Sequence, residues 1–422
     1  YCWHPLDLLI QSGILSSYGH QLILIDAIAE HLSADACMQR ISAFSPEVVI
    51  SLAGDASWPE DVRFLRRLHA KALTPVLILS GDTPRFEPER AFQELPQTQA
   101  ILTDFSTHAV QEFLEGEKEP AGLIIPGKNP VPVRARNWSS GPARYDLLSR
   151  SAYRLPFHSG QAFGSVLASY GCPFSCTFCN TGQLGYKLRP VSESLADMQL
   201  VQQMGFRHMY LRDATANGHR ASLLELCRAM AKSNLNLQWN TFCTFKPFDA
   251  ELATAMARAG CTVVQMGFET ANESLRAETG KAFDNESALA AVRYAHEVGI
   301  KVCGHFVLGL PGQDESDVQN SATFARTLDL DYASFNLASA RPGTDLRNEA
   351  ERLGLGGGDA SGNGFVAGLA QVSPDRLKSL RRQAIMRFYL RARPLKAVVG
   401  DLRTEAGWRN LGRTAQALTR VF

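Results

Sequence analysis

The sequence predicts an α/β chain: a doubly wound, Rossmann-like N-terminal domain, then a partial barrel of six parallel strands and a helical C-terminal tail. Three observations carry this. Short buried runs alternate with amphipathic helical stretches from residue 1 to about 125 and again from about 161 to 345. A stretch crowded with Pro and Gly separates the two. In the second run, helices stop at Gly and a buried run follows at once, the pattern of right-handed crossovers. The expected divisions are residues 1–125, a linker over 126–160, the barrel over 161–345 and the tail over 346–422.

Composition narrows the setting. The 422 residues suffice for two or three domains, and a hydrophobic share of 45% lets each bury a core. A net charge of +1 argues against a nucleic-acid footprint spread over the molecule. Nine cysteines, an odd number with three of them clustered, suit a reducing compartment. No run of about 18 apolar residues and no signal segment stands out. A cytoplasmic protein with no transmembrane segment and no nucleic-acid partner is expected. The chain starts at Tyr1 rather than Met, so a native start further upstream is expected.

The first domain opens with a helix carrying Leu6, Leu9, Ile10 and Ile14 on one face, broken at Gly19-His20. A strand over Leu22–Ile25, ending at Asp26, follows. Further strands are expected at Val48–Leu52, Val76–Leu79 and Ala100–Leu102, with a helix from Glu60 to Leu73 that turns Val62, Leu65 and Leu68/His69 inward. Such a sheet is parallel and covered on both faces, and its ligand sits beyond the strands' carboxyl ends. Those ends are Leu52-Ala53-Gly54, Ser80-Gly81-Asp82 and Thr103-Asp104. His20, His31, His69 and His108 lie in helical or polar text and are expected to be ordinary core or surface residues. In the linker, Trp138 either packs over a flat ligand or fills a domain seam.

The barrel begins with the strand Phe163–Ala168. Expected helix caps are Ser192, Asp249, Asn285 and Asp314; the intervening strands lie at His208–Leu211, Leu237–Phe242, Thr262–Met266, Ile300–Leu308 and Tyr332–Leu337. Chemistry belongs at their carboxyl ends, where Arg212-Asp213, Glu269, Gly309-Leu310-Pro311-Gly312 and Arg341–Thr344 fall. Cys243, Cys261 and Cys303 lie in or beside strands, where a thiol is usually a small buried hydrophobe; Cys243 is the best placed for anything more.

Between the first strand and its helix stands Cys172-Pro-Phe-Ser-Cys176-Thr-Phe178-Cys179. Three thiolates so close can grip three corners of one metal cluster and leave the fourth corner open for cofactor or substrate. Structural zinc wants a fourth Cys or His nearby, but the next cysteine is Cys227, and His208 and His219 sit in unremarkable text. An iron–sulfur cluster is the expected occupant, with zinc or inert thiols as the competing readings.

Cys172-x3-Cys176-x2-Cys179 with Phe178 resembles the signature of the radical S-adenosylmethionine enzymes. The resemblance implies a 4Fe–4S cluster on the three cysteines, with S-adenosylmethionine chelating the fourth iron and cleaved to a 5′-deoxyadenosyl radical. Met266-Gly-Phe-Glu269, Gly309–Gly312 and Pro342-Gly-Thr344 look like further family motifs. By this resemblance Phe178, Asp213, Glu269, Gly309, Leu310 and Pro311 would contact S-adenosylmethionine: Asp213 its ammonium, Glu269 its ribose, and Leu308–Pro311 with Phe178 its adenine.

The αβ domain ahead of the cysteines resembles the cobalamin-binding domain of one large subgroup, matched in style by His4-Pro-Leu-Asp-Leu-Leu, Gly19-His20…Asp26 and Ser51…Asp61-Val62. Leu52, Ala53, Gly54, Ser80, Gly81 and Thr103 would then line the cobalamin. The chain departs from the subgroup in lacking Asp-x-His-x-x-Gly, in having Ser80-Gly81-Asp82-Thr83 for Gly-Gly-x-His, and in having Thr103-Asp104 for Gly-Glu. The implied activity is methyl transfer to an unactivated carbon through methylcobalamin, with a small, hydrophobic or tetrapyrrole-like substrate and a flavodoxin or ferredoxin as electron donor. Radical cyclisation or rearrangement without methyl transfer is the first alternative. A domain that has lost cobalamin and a non-catalytic iron–sulfur protein are the others.

In the tail, Gly354–Gly364 holds six glycines without the Gly-Lys-Ser/Thr of a phosphate loop, and a mobile loop is expected. The basic helix Arg376–Arg393, with Leu377, Leu380, Ala384 and Phe388 on one face, is expected to pack on the barrel, with a membrane surface as the alternative.

Overall fold

The computed structural model describes residues 3–73, 76–154, 161–281, 283–355 and 368–393. The chain divides into two compact units: residues 1–153 with 187–197, and residues 154–186 with 198–422.

In the first unit, helices α1 (Leu6–Ser17) and α2 (Ala34–Phe44) precede strand β1 (Val48–Leu52). Then come α3 (Trp58–Ala70), β2 (Val76–Ser80), α4 (Asp82–Phe86), α5 (Pro88–Glu94), β3 (Thr98–Leu102), α6 (Ala109–Leu114) and β4 (Leu123–Ile124). The sheet runs β1-β2-β3-β4. Its first three strands are parallel and β4 is antiparallel to β3. Two apolar layers sandwich it, one built on Trp58, Leu65, Leu77 and Leu79, the other on Ile78, Leu102, Ala109 and Val110.

The strand expected at Leu22–Ile25 does not form. Ile23 is 41% exposed, and Asp26 ends the run by accepting the Ala29 N–H in a turn. In α3, Leu68 is buried and His69 faces solvent. The proline-rich stretch is more than a connection up to Tyr153: Trp138, Tyr145 and Tyr153 are buried, and His4 stacks on Tyr153 at 3.9 Å. Trp138 lies beneath Arg189, whose guanidinium is 4.9 Å from the ring centroid, so its face serves packing rather than a flat ligand.

The second unit is the half-barrel. Its strands are β5 (Phe163–Val166), β8 (His208–Leu211), β9 (Gln238–Cys243), β10 (Cys261–Glu269), β11 (Lys301–Leu308) and β12 (Tyr332–Leu337), all parallel, in the order β5-β8-β9-β10-β11-β12. Two short strands, β6 (Ser169–Gly171) and β7 (Tyr186–Leu188), flank the cysteine loop. The helices between strands are α7 (Val191–Gln203, whose residues up to Asp197 count with the first unit), α8 (Arg220–Lys232), α9 (Ala250–Arg258), α10 (Glu273–Glu278), α11 (Asn285–Glu297) and α12 (Glu315–Thr327). After β12 come α13 (Asp345–Arg352) and α14 (Pro374–Tyr389).

Asp249 caps α9 and Asp314 caps α12, the latter in a capping box with Asp317. Two expected caps are displaced by one residue. Ser192 lies inside α7, and Asp284 rather than Asn285 caps α11, because its carboxylate reaches the Ser287 N–H. Leu289 of α11 is exposed, and Ala288, Ala291, Val292 and Ala295 fill the buried face. A row of rings welds the sheet to its helices: Phe268–Phe306 at 5.5 Å, Phe306–Phe335 at 5.2 Å and Phe335–Phe388 of α14 at 6.4 Å. The apolar face of α14 is therefore spent on the barrel, and Tyr389 donates to the Ala333 carbonyl at 2.8 Å. Most of the glycine-rich loop, residues 356–367, and the tail from 394 lie outside the described residues.

Candidate active site

The cysteine loop leaves β6 at a position that only glycine suits. Gly171 has φ +72°, and a Cβ there would lie 1.7 Å from the Gly185 carbonyl oxygen. That close approach lets the Cys172 N–H donate to the same carbonyl at 3.2 Å. Further on, the Cys179 N–H donates to Cys176 O at 3.0 Å, Thr177 N–H to Thr279 O at 3.1 Å, and Leu346 N–H to Thr177 O at 3.1 Å. Asn180 reaches the Pro342 carbonyl at 3.4 Å, and Gln183 reaches that of Gly343. Peptide bonds from the loops after α10 and β12 thus hold the loop in shape.

All three thiols are partly exposed. Burial pushes the Cys176 thiol up to about 11, while Lys281 pulls it down and the neighbouring sulfurs of Cys179 and Cys172 raise it. Among the described residues no three His, Cys, Asp or Glu side chains converge on one ion-sized point. A cluster, by contrast, asks for three soft thiolates at separate corners, which the three partly exposed thiols of this backbone-braced loop can supply.

Asp213 is buried, and its carboxylate accepts from the Ala168 N–H at 2.8 Å and the Ser169 hydroxyl at 2.7 Å. It anchors the segment that leads into the cysteines. Arg212 lays its guanidinium over the Tyr210 ring at 5.2 Å.

Glu269 sits at the end of β10 with φ +58°, a left-handed backbone that a glutamate rarely adopts. The register between β10 and β11 shifts between Gly267 and Glu269. This bulge aims the Glu269 carboxylate back over Gly267, where a Cβ would lie 2.2 Å from its oxygen. There Glu269 meets Lys281 Nζ at 2.5 Å. Lys281 also lies 5.9 Å from the centre of the Phe178 ring. Burial favours the neutral amine of Lys281, but Glu269 and then the Cys176 sulfur outweigh it and hold the ammonium above its ordinary value.

Lys281 is the residue that sequence reasoning missed. It follows the short helix α10 in a loop with no periodicity, and only its place just beyond the Gly-Phe-Glu motif hints at it.

Phe178 packs on Ala338, Ala340, Leu346 and Leu369. The Gly309 and Leu310 N–H groups donate to the buried Gln313 side chain at 2.6 and 3.3 Å, and the Leu308 and Leu310 carbonyls accept from the Ala338 and Gln313 N–H groups at 2.9 and 3.1 Å, so most of this segment's backbone is bonded within the chain while Pro311 stays exposed. Cys243 and Cys261 are fully packed thiols that burial pushes well up, and burial pushes Cys303 up to about 12. None resembles a nucleophile.

In the first unit the strand ends form a rim of small residues. Ala53 donates its N–H to Ser80 O at 2.8 Å, and Gly81 has φ +114° with its missing Cβ 2.0 Å from Ala53 O. Ser80 donates to Asp7 at 2.6 Å, and Thr103 donates to Gly122 O at 2.9 Å. Asp104, buried, pairs with Lys187 Nζ at 2.6 Å. Leu52 is exposed and Gly54, Gly81 and Thr103 are half-buried. Such a low rim suits the broad flat face of a corrin ring. The histidines expected to be bystanders have partners of their own: His20 bonds Gln111 at 2.7 Å and His108 bonds Tyr18 at 2.9 Å.

Comparison with known proteins places this geometry. Residues 166–325 match the model of the Radical SAM superfamily. An uncharacterized methyltransferase of Pyrococcus horikoshii is 24% identical over 433 residues, 96% of this chain and 91% of that relative. The anaerobic magnesium-protoporphyrin IX monomethyl ester cyclase of Rubrivivax gelatinosus is 23% identical, across 82% of this chain and 66% of its own length. The solved structure of the radical S-adenosylmethionine methyltransferase TsrM from Kitasatospora setae, with cobalamin and a 4Fe–4S cluster bound, superposes with a TM-score of 0.68. The match covers 82% of this chain and 72% of that one at 18% identity, and it establishes the α/β fold.

Proposed function

We propose that this chain, which belongs to the Radical SAM superfamily through residues 166–325, is a cobalamin-dependent methyltransferase acting on an unactivated carbon. The observation that carries the reading is the cysteine loop at the edge of a six-stranded parallel half-barrel, fixed by backbone bonds and flanked by the Glu269–Lys281 pair.

Cys172, Cys176 and Cys179 would hold the cluster. The Lys281 ammonium, kept charged beside Cys176, suits an anionic group such as the carboxylate of S-adenosylmethionine, and Glu269 fixes where that ammonium stands. Phe178 supplies an apolar wall. Asp213 acts through the loop it anchors. Leu52, Ala53, Gly54, Ser80, Gly81 and Thr103 would hold cobalamin against the first unit's rim, with no histidine offered from that rim. When bound, the cluster supplies one electron to S-adenosylmethionine, whose adenosyl part takes a substrate hydrogen, and cobalamin carries the methyl group. A carbon without a lone pair cannot attack a sulfonium directly, which is why such an assembly is needed. The substrate is a small molecule, the electron donor a flavodoxin or ferredoxin, and the compartment the cytoplasm; no described helix is long and apolar enough to cross a membrane.

Anaerobic reconstitution with iron, sulfide, cobalamin and labelled S-adenosylmethionine tests this. 5′-Deoxyadenosine formation together with label on cobalamin is the expected result. 5′-Deoxyadenosine without labelled cobalamin would favour the second reading, a radical cyclase, which the resemblance to the Rubrivivax cyclase supports. Neither product would overturn both.

A further inference from the structure

Glu269 and Lys281 stand on opposite sides of α10, and one side chain of that helix ties both of their neighbourhoods together. Arg276 is fully buried. Its Nη1 donates at 2.7 Å to the carbonyl of Thr270, the residue after Glu269. Its Nε donates at 3.2 Å to the carbonyl of Phe283, just beyond Lys281, and its Nη2 donates at 2.8 Å to Asn285 Oδ1 at the start of α11. The guanidinium also lies 4.3 Å from the centre of the Phe283 ring. Asn285 in turn donates to the Ala271 carbonyl at 3.1 Å, so the two ends of the segment between β10 and α11 are closed on one another.

A guanidinium is a costly way to fill this space. Apolar side chains of similar volume often stabilise a buried site as well or better. Glu273, 3.9 Å away and exposed, is too distant and too wet to neutralise the charge. What Arg offers, and an apolar residue lacks, is a rigid planar fork that fixes several acceptors at once. The acceptors here are the chain on either side of the Glu269–Lys281 pair.

The segment so closed is the one that meets the cysteines. The Arg276 carbonyl accepts from the Lys281 N–H at 3.2 Å and from the Thr279 hydroxyl at 2.7 Å. The Thr279 carbonyl takes the Thr177 N–H at 3.1 Å. Gly280 has φ +82°, and a Cβ there would lie 2.9 Å from the Ser175 carbonyl oxygen. Lys281 Nζ then reaches Glu269 at 2.5 Å. The line of contact runs from the fork, through its loop, to the ammonium beside Cys176.

We propose that Arg276 is a positioning residue of the radical centre: by closing the loop between β10 and α11 it sets where the Lys281 ammonium stands beside Cys176. The proposal rests on the radical-enzyme reading for its catalytic meaning, but the placement of Lys281 can be measured without turnover.

The test compares the full chain with Arg276→Gln, which keeps a hydrogen-bonding group and loses the fork. In cluster-free protein, acetylation of Lys281 by a succinimidyl ester is followed by peptide mass spectrometry, with the exposed Lys378 as reference. Arg276→Gln should speed that labelling about threefold or more. In anaerobically reconstituted protein, S-adenosylmethionine cleavage per bound iron should fall about tenfold in Arg276→Gln. The same substitution made in Lys281→Met should cost about twofold or less, because the two changes interrupt one route. Unchanged labelling of Lys281, normal cleavage by the iron-loaded variant, or the same tenfold loss in both backgrounds would overturn the proposal. If Arg276→Gln does not fold or load iron, Asn285→Ala, which removes a single acceptor, carries the same comparisons with an expected loss of about threefold. An unaltered enzyme that forms no 5′-deoxyadenosine would overturn the radical reading and leave the labelling to decide the positioning, so the two failures are told apart.

Discussion

At the carboxyl edge of the half-barrel, a buried strand-end glutamate and a half-buried loop lysine hold one another: Glu269 with Lys281, and Lys281 beside Cys176. At the carboxyl edge of the N-terminal sheet the arrangement is reversed. Small residues and peptide groups form the rim, and the charged pair Asp104–Lys187 is buried beneath it. Asp7 is also drawn in, and burial pushes its carboxyl up despite the bond from Ser80. Both edges are the ligand side of a parallel sheet. Under the proposed function the difference fits two tasks: a held charged pair beside the cysteines, and a low rim of small residues for a broad body.

The comparison can be broken at its strongest point first. Cys176→Ala should leave the fold intact but reduce bound iron and 5′-deoxyadenosine formation to background, checked by iron analysis and chromatography. Lys281→Met should retain iron yet lower the rate of S-adenosylmethionine cleavage about 10–100-fold, since it strips a cation from beside the thiolates and leaves Glu269 buried alone. If Lys281→Met cleaves at the normal rate, the charged edge is structural. On the other side, Gly81→Val should lower stability by about 2 kcal/mol or more and weaken cobalamin retention, because both its φ of +114° and the Ala53 carbonyl exclude a side chain. Retention of cobalamin by a folded Gly81→Val enzyme would remove the rim from the argument.

A smaller effect concerns pH. The folded-state value of His305 is depressed from 6.5 to about 4. The unfolded chain therefore takes up a proton in that window and the folded one does not, so stability is full above 6.5 and falls as pH drops toward 4. His305→Gln should remove on the order of 2 kcal/mol of that acid sensitivity, measured as the difference in chemical denaturation between pH 7 and pH 4.5. The smallest change is Cys243→Ala: about 1 kcal/mol of stability and no change in S-adenosylmethionine cleavage.

Much of this was legible in the chain. The barrel strands followed from helices that stop at Gly205, Gly260 and Gly299, each leading into a buried run. The cysteine loop followed from spacing alone. What escaped notice had no local signal. β4 is two residues long and antiparallel, too short for any period. Leu22–Ile25 has the composition of a strand, but strand pairing is decided by neighbours elsewhere in the chain, and Asp26 turns the run away. The resemblance assigns Asp213 to a ligand's ammonium, and residue type gives no hint that its carboxylate also accepts from the Ala168 N–H and the Ser169 hydroxyl. The Glu269–Lys281 pair depends on a bulge and a left-handed glutamate, neither visible in residue type.

The bonds from Thr177 to Thr279 and from Leu346 to Thr177 carry one more consequence. They brace the loop proposed to carry the cluster through peptide groups rather than through side chains alone. Under that proposal, enzyme stripped of iron by oxygen should keep the loop's mould and take up a fresh cluster without refolding.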